Sequence, residues 1–136
     1  MAWTYVQRTG ELWHSGVRVA IGYAGADDGD GLTEPGEGRN LPGAEAISNV
    51  GPLPTGRYII GPVHDHPVMG SRVMYLDPHP DNIMYGRSGF FIHGGNPDGS
   101  SSHGCIVLGR GAREMIATST DRELVVVAEA PSSEVA

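Results

Sequence analysis

The sequence contains a single cysteine, no lysine and no long apolar run. One cysteine cannot form a disulfide within the chain, so the cysteine count gives no support for an oxidising compartment. All nine basic residues are arginine, the net charge is -7 and no basic run occurs, which argues against a nucleic-acid partner or an electrostatic membrane anchor. No stretch approaches the roughly 20 apolar residues that span a bilayer, and the first residues do not resemble a signal peptide, so we expect a soluble chain.

The length and the distribution of apolar residues predict one small domain built mainly of β-strands. A chain of 136 residues can bury a substantial core within a single domain. We assign residues 1–130 to that domain and residues 131–136 to a flexible tail. Short apolar segments separated by glycine- and proline-rich turns favour a β-sandwich or barrel.

The first 23 residues predict a three-stranded meander. Two short strands, Thr4–Gln7 and Leu12–His14, flank a turn at Thr9 and Gly10. In the third strand, apolar residues alternate with other types at positions 17, 19, 21 and 23. This period of two predicts a half-buried antiparallel strand.

Further strands and one helix are predicted downstream. Apolar runs in residues 57–60, 73–76 and 124–128 indicate short strands. Residues 110–119 change to a helical period, with Ala112, Met115 and Ile116 on one face. We therefore predict one short helix that packs these three side chains against the sheet.

The strongest chemical signal lies in residues 90–108, where two apolar runs flank a loop rich in Gly, Asn, Pro, Asp and Ser. His93 ends the first run and Cys105 opens the second, so the loop brings an imidazole towards a thiol. Such a neighbour favours the thiolate, which attacks carbonyl groups. Gly104 leaves the backbone open, so the N–H groups of Gly104 and Cys105 can face a developing oxyanion. The pattern predicts a cysteine nucleophile.

Other interpretations compete with this one. A lone cysteine is most often a small apolar core residue, although a glycine-rich approach suits an accessible nucleophile better. His64, His66 and His79 raise the question of zinc, but histidines in turn-rich segments are usually solvated and no HExxH helix occurs. The acidic segment Ala26–Gly38 forms either a lid over the site or a solvated loop, and we favour the loop.

The sequence Ser102-His103-Gly104-Cys105, preceded by Ile92-His93-Gly94, resembles the signature of L,D-transpeptidase (YkuD-type) catalytic domains. Within that group the chain is more similar to the small L,D-transpeptidase-like domain of type VI secretion effectors, because residues 22–25, 51–58 and 87–90 recur in the same order. The resemblance implies a YkuD-like β-sandwich or barrel, with one short helix after the catalytic cysteine.

The chain departs from typical YkuD-type enzymes in two places. The loop between His93 and Ser102 is shorter, which favours the effector branch. Val107 stands where many of those enzymes carry an arginine two residues after the cysteine. The group that holds a substrate carboxylate is therefore left open, with Arg87 and Arg110 as nearby candidates for which an ordinary surface role is an equal alternative.

The resemblance also implies roles for individual residues. Cys105 would be the nucleophile and His93 the base, with Gly104 at the oxyanion; His103 would shape the oxyanion loop or orient its neighbour, or serve a purely structural role. The residues predicted to contact substrate are Ser102, Arg87, Asn96 and Tyr23. A covalent cysteine mechanism needs no cofactor and no metal.

The function that the resemblance implies is an L,D-transpeptidase or L,D-carboxypeptidase on peptidoglycan tetrapeptide stems, including D-amino acid exchange. Such an enzyme would be an antibacterial effector, cytoplasmic in its producer, secreted without a Sec signal and active in the periplasm of target bacteria. We expect an immunity protein and a component of the secretion apparatus as partners, and no nucleic acid or membrane. A zinc amidase or peptidase using His93, His103 and Cys105 and a non-catalytic binding β domain remain alternatives. The sequence leaves the balance of hydrolysis and exchange open.

Overall fold

The structure is a computed structural model that describes residues 2–26, 37–95 and 102–130. Within these ranges the domain is mainly β, with ten strands in one mixed sheet and a single α-helix. This confirms the predicted fold class. Most of the acidic segment Ala26–Gly38 and all of the predicted tail lie outside the described residues. No helix in the described ranges has both the length and the apolar character needed to cross a bilayer.

The elements follow one another in short steps along the chain. In chain order they are β1 (Trp3–Val6), β2 (Glu11–His14), β3 (Val17–Ile21), β4 (Tyr23–Ala24), a 3₁₀ helix (Pro42–Ala44), β5 (Gly56–Ile60), β6 (His64–His66), β7 (Gly70–Pro78), β8 (Phe91–His93), β9 (Ile106–Val107), α1 (Arg110–Ala117) and β10 (Glu123–Val127). The strands lie side by side in the order β3-β2-β1-β10-β5-β7-β8-β9-β4, and β6 pairs with β7. The pairs β1–β10 and β8–β9 are parallel, and the others are antiparallel.

The core lies between the inward faces of these strands and α1. Its largest fully buried side chains are Trp3, Tyr5, Tyr58, Leu12, Leu53, Met74, Leu76, Ile92, Ile106, Leu108, Ile116 and Leu124. They come from β1, β2, β5, β7, β8, β9 and β10, from the helix, from the segment before β5 and from the residue after β9. Burying side chains of this size contributes about 1.5–3 kcal/mol each before the entropy of ordering the chain is subtracted.

The predicted meander is confirmed, because β1, β2 and β3 pair antiparallel in that order. The predicted burial of the third strand is wrong. Val17 is 60% exposed and Ile21 is 59% exposed. The strand β3 stands at one end of the strand order and pairs only with β2 among the described strands, and of its residues Val19 and Ala20 pack partly buried against the core. The last apolar residue of that pattern, Tyr23, is separated from β3 by Gly22 and is buried in β4.

Gly22 joins the two ends of the sheet. The strands β3 and β4 stand at opposite ends of the strand order, yet only this residue separates them in sequence. Its N–H donates to the Gly10 carbonyl at 2.8 Å. A Cβ on Gly22 would overlap the Val107 carbonyl oxygen and lie 2.8 Å from Cδ2 of Leu108. The sheet is therefore rolled until its two edges meet at a position that only glycine fits.

We expect Gly22→Ala to destabilise the fold by about 1–3 kcal/mol, because the added methyl group must displace backbone of β9. Urea unfolding followed by tryptophan fluorescence measures the change. Gly43→Ala is the matched control, since a Cβ there meets nothing within 4 Å. Equal stability of the two variants would contradict the closure of the sheet at Gly22.

Candidate active site

Cys105 lies directly before β9, opposite Phe91 in the parallel pairing of β8 with β9. Its sulfur accepts the Phe91 N–H at 3.4 Å, and its thiol lies 3.8 Å from the Gly89 carbonyl oxygen. Burial raises the pKa of the Cys105 thiol, while the Phe91 amide and the positive charge of Arg87 act in the opposite direction. Because burial is the largest of these effects, the resting side chain is the neutral thiol.

His93 ends β8 and is buried, with 6% of its surface exposed. Its Nδ1 lies 2.5 Å from the Gly94 carbonyl oxygen. Since a carbonyl oxygen only accepts, Nδ1 carries the proton and Nε2 keeps its lone pair. Burial lowers the pKa of His93, and the charges of Arg113 and His66 lower it further against the opposing effect of the Gly94 bond.

The site therefore pairs a neutral thiol with a neutral imidazole. This differs from the preformed thiolate that the sequence predicts, and the physical reason is the burial of both groups. A neutral imidazole with a free Nε2 is the form of histidine that accepts a proton. The arrangement suits a base that removes the proton of Cys105 when a substrate arrives.

The loop before Cys105 is held by the Ser102 hydroxyl, which is buried. This oxygen accepts the N–H groups of Gly25 and Gly104, each at 3.0 Å, and donates to the Cys105 carbonyl at 2.7 Å. These contacts favour a positioning role for Ser102 over the predicted substrate contact. The Gly104 N–H is already bonded to the Ser102 hydroxyl. Of the two predicted oxyanion donors, only the Cys105 N–H makes no hydrogen bond to Ser102.

Gly104 itself has a φ of +136°, which favours glycine. A Cβ there would lie 2.6 Å from Nη2 of Arg87 and 2.9 Å from the Phe90 ring. Arg87 is buried and donates to the carbonyls of Glu45, Gly51, Pro52 and His103. Its contacts, too, favour positioning of the backbone over binding of a substrate.

The other predicted substrate residues are placed differently. Tyr23 is buried in β4, and the guanidinium carbon of Arg39 lies 4.7 Å from the centre of its ring. Its substrate contact stays a prediction. Asn96 lies outside the described residues.

Two cavities meet at Cys105. The larger, of about 600 Å³, is bordered by Val68, Ser71, His93 and Arg113. The smaller, of about 360 Å³, lies on the side of Ser48, Asn49, Arg87 and Ser88. Both are bordered by Met69, His103 and Cys105. The structure thus brings His93, His103 and Cys105 together, and a ligand can approach the sulfur from either side.

Arg113 is the residue at this site that the sequence interpretation missed. The helix itself is confirmed as Arg110–Ala117, but it buries Arg113 and Ile116, whereas Met115 is 46% exposed. The helix is therefore rotated from the predicted face. The spacing of three residues between Arg113 and Ile116 was the available signal, yet an arginine is rarely assigned to an inward face. Arg110, which the sequence left as a carboxylate candidate, is exposed at the start of the helix.

No group of three His, Cys, Asp or Glu side chains that could hold a metal ion occurs in the described part of the chain. His93, His103 and Cys105 border the same cavity but do not form such a group. The structure therefore offers no ligand set for the zinc alternative among these residues.

We expect the stability of the fold to fall as the pH drops below about 6.5, the ordinary pKa of histidine. Below that pH the unfolded chain binds a proton at residue 93, whereas burial disfavours the protonated form of His93 in the folded chain. Protonation therefore lowers the free energy of the unfolded state relative to the folded state. One such group gives a slope of at most about 1.4 kcal/mol per pH unit. Urea unfolding between pH 5 and pH 8 measures it. His93→Gln should flatten the curve, whereas His64→Gln, which removes an exposed imidazole, should not; identical curves for both variants would contradict the assignment.

One family model matches the part of the chain that forms the candidate site. The chain matches the Tlde1 domain over residues 34–129, which is more than two thirds of its 136 residues and includes His93 and Cys105. No curated protein matches the chain. The match confirms the predicted likeness to a domain of type VI secretion effectors. The chain therefore belongs to the Tlde1 domain family of type VI secretion effectors.

Proposed function

We propose that this domain is a cysteine-dependent L,D-transpeptidase and L,D-carboxypeptidase that acts on the tetrapeptide stems of peptidoglycan. The observation that carries the proposal is the cavity shared by Cys105 and His93, in which the imidazole keeps Nε2 free of hydrogen bonds within the described residues. The resemblance of residues 102–105 to the L,D-transpeptidase signature supplies the substrate class.

The first half-reaction transfers an acyl group to Cys105. Nε2 of His93 accepts the thiol proton, and the sulfur attacks the carbonyl carbon of the meso-diaminopimelate residue. The Cys105 N–H donates a hydrogen bond to the negatively charged carbonyl oxygen. The same N–H also favours the thiolate form of its own side chain. The C–N bond then breaks, His93 protonates the amine of the departing D-alanine, and a thioester remains on Cys105.

The second half-reaction releases the acyl group. Water or the amine of an amino acid attacks the thioester carbonyl, His93 takes the proton of that nucleophile, and the Cys105 sulfur leaves and is reprotonated. Water gives the shortened stem, and a D-amino acid or a second stem gives exchange or a cross-link. The two cavities on either side of Cys105 support this course, because acyl chain and incoming nucleophile need separate approaches.

The remaining residues of the site act on the backbone around the sulfur. Ser102 and Arg87 hold the loop that carries Cys105, and Gly104 provides the conformation that this loop needs. His103 is exposed where the cavities meet, so it is placed to contact either the acyl chain or the nucleophile.

Membership of an effector family supports the biological setting. The enzyme would stay in the cytoplasm of its producer, travel with a component of the secretion apparatus and act in the periplasm of a target cell. Sibling cells share the same substrate, so an immunity protein that covers the groove around Cys105 belongs to the proposal.

The enzymatic part is tested with purified muropeptides read by mass spectrometry. The wild type should release D-alanine from tetrapeptides, and Cys105→Ser should abolish release because an alcohol is a far weaker nucleophile at this site. His93→Gln should reduce the rate by about 10²–10⁴-fold. His64→Gln is the control and should keep full activity. Release of D-alanine by Cys105→Ser would contradict the mechanism. Loss of activity with EDTA, followed by recovery with Zn²⁺, would favour a zinc enzyme.

The effector part is tested by growth of bacteria that express three forms of the domain. The cytoplasmic form should be tolerated, because its substrate lies outside the membrane. The form fused to a cleavable export signal should swell or lyse cells, and exported Cys105→Ala should be harmless. Equal growth of all three, with the exported protein confirmed in the periplasm, would contradict the proposal that the domain is an antibacterial toxin.

A further inference from the structure

Arg113 has one hydrogen-bonding group that the fold does not use. The side chain is 9% exposed and borders the larger cavity. Its Nε donates to the Leu108 carbonyl at 3.0 Å, and its Nη1 donates to the Ser71 carbonyl at 2.8 Å. In the described part of the chain, Nη2 makes no hydrogen bond. A nearly buried guanidinium at the cavity thus has an uncommitted donor that lies beside Gly94, another residue of the cavity wall.

The charge of Arg113 is also unpaired among the described residues. The nearest acidic neighbour on the helix, Glu114, is bonded to Nε of Arg72 at 2.5 Å. Burial lowers the pKa of Arg113, the positive charges of Arg110 and Arg72 lower it further, and the carboxylate of Glu114 opposes them. In a chain whose net charge is -7, this wall of the cavity has the opposite sign to the protein as a whole. Such a wall attracts an anion, and a guanidinium suits a carboxylate.

The position of Arg113 relates it to the proton transfer by His93. A Cβ on Gly94, the residue after His93, would lie 2.7 Å from Nη2 of Arg113. The guanidinium therefore fills the space that this glycine leaves open, beside the proposed base. His93 must deliver its proton to the nitrogen of the departing amino acid. If that amino acid is the last of its peptide, its carboxylate is borne on the carbon next to that nitrogen.

We propose that Nη2 of Arg113 binds the carboxylate of the departing amino acid, so that the domain selects peptides ending one residue beyond the scissile bond. This inference rests on the proposed function and assigns the residue that recognises the free end of its tetrapeptide substrate. Arg113 acts as a binding and specificity-determining residue. The same contact receives the carboxylate of an incoming amino acid during exchange, because that molecule occupies the place of the one that left.

The first experiment compares a stem peptide that ends in D-alanine with the same peptide ending in D-alanine amide. The wild type should cleave the acid with a kcat/KM about 10- to 100-fold above that of the amide, as expected for charge-assisted hydrogen bonds to a carboxylate. Arg113→Gln should lose this preference because its kcat/KM falls for the acid and stays unchanged for the amide. Arg113→Lys should restore part of the preference. Arg57→Gln removes the same charge from an exposed position that borders neither cavity and should keep the preference.

Two outcomes would overturn the inference. One is a wild type that cleaves acid and amide equally, a result that needs no variant and so holds even if Arg113→Gln fails to fold. The other is an Arg113→Gln variant, shown to be folded by circular dichroism, whose kcat/KM falls equally for both peptides. In that case the arginine only supports the helix and the loop.

The second experiment does not depend on the proposed function. Cys105 is the sole cysteine, so its modification can be followed directly. Its thiolate attacks a methanethiosulfonate, forms a mixed disulfide and releases methanesulfinate. The rates with 2-carboxyethyl and 2-hydroxyethyl methanethiosulfonate are compared at low salt. Arg113→Gln should lower the ratio of the anionic to the neutral reagent by about 10-fold, and Arg57→Gln should leave it near the wild-type value.

The two experiments separate the failure of the inference from the failure of the proposed function. A reagent ratio that depends on Arg113, with no cleavage of any peptide, supports the anion site and rejects the peptidase. A ratio that is the same in wild type and folded Arg113→Gln rejects the anion site, whatever the peptides show.

Discussion

The geometry of the site depends on the burial of one guanidinium that pairs with no carboxylate among the described residues. Arg87 donates to the carbonyls of Glu45, Gly51, Pro52 and His103. Burying an uncompensated charge costs several kcal/mol, and hydrogen bonds to a charged group contribute about 1.5–3 kcal/mol each, so the arrangement is stable only while most of these bonds are made. This requirement fixes the segment before β5 against the loop that carries the nucleophile.

The same charge influences the chemistry of the thiol. Burial raises the pKa of Cys105, and Arg87 and the Phe91 amide oppose that effect, so the thiolate is disfavoured at rest but supported once it forms. Burial lowers the pKa of His93, which keeps the imidazole able to accept a proton. The free energy for charge separation is therefore supplied when the substrate excludes water and the oxyanion meets its donor, as expected for a site that is reactive only with substrate present.

Local patterns in the sequence were enough to predict the meander, the helix and the placement of His93 and Cys105 at one cavity, because each depends on periodicity or on residues close in sequence. The exposure of β3 was not predictable, since it depends on which strand ends the sheet. The bond from Gly25 to Ser102 joins residues 77 positions apart and has no local signal. The inward position of Arg113 depends on how the helix is rotated against β7, which propensity does not determine.

In the proposed mechanism, the balance between hydrolysis and exchange follows from the occupancy of the proposed site beside His93. An amino acid that leaves and one that enters must pass through the same transition state, so both use the same carboxylate contact. Water has no carboxylate and gains nothing from Arg113. Under this proposal, the share of exchange rises with the concentration of the free amino acid relative to its dissociation constant for the acyl-enzyme. A single fold with one nucleophile then performs either reaction according to the amino acid concentration around it.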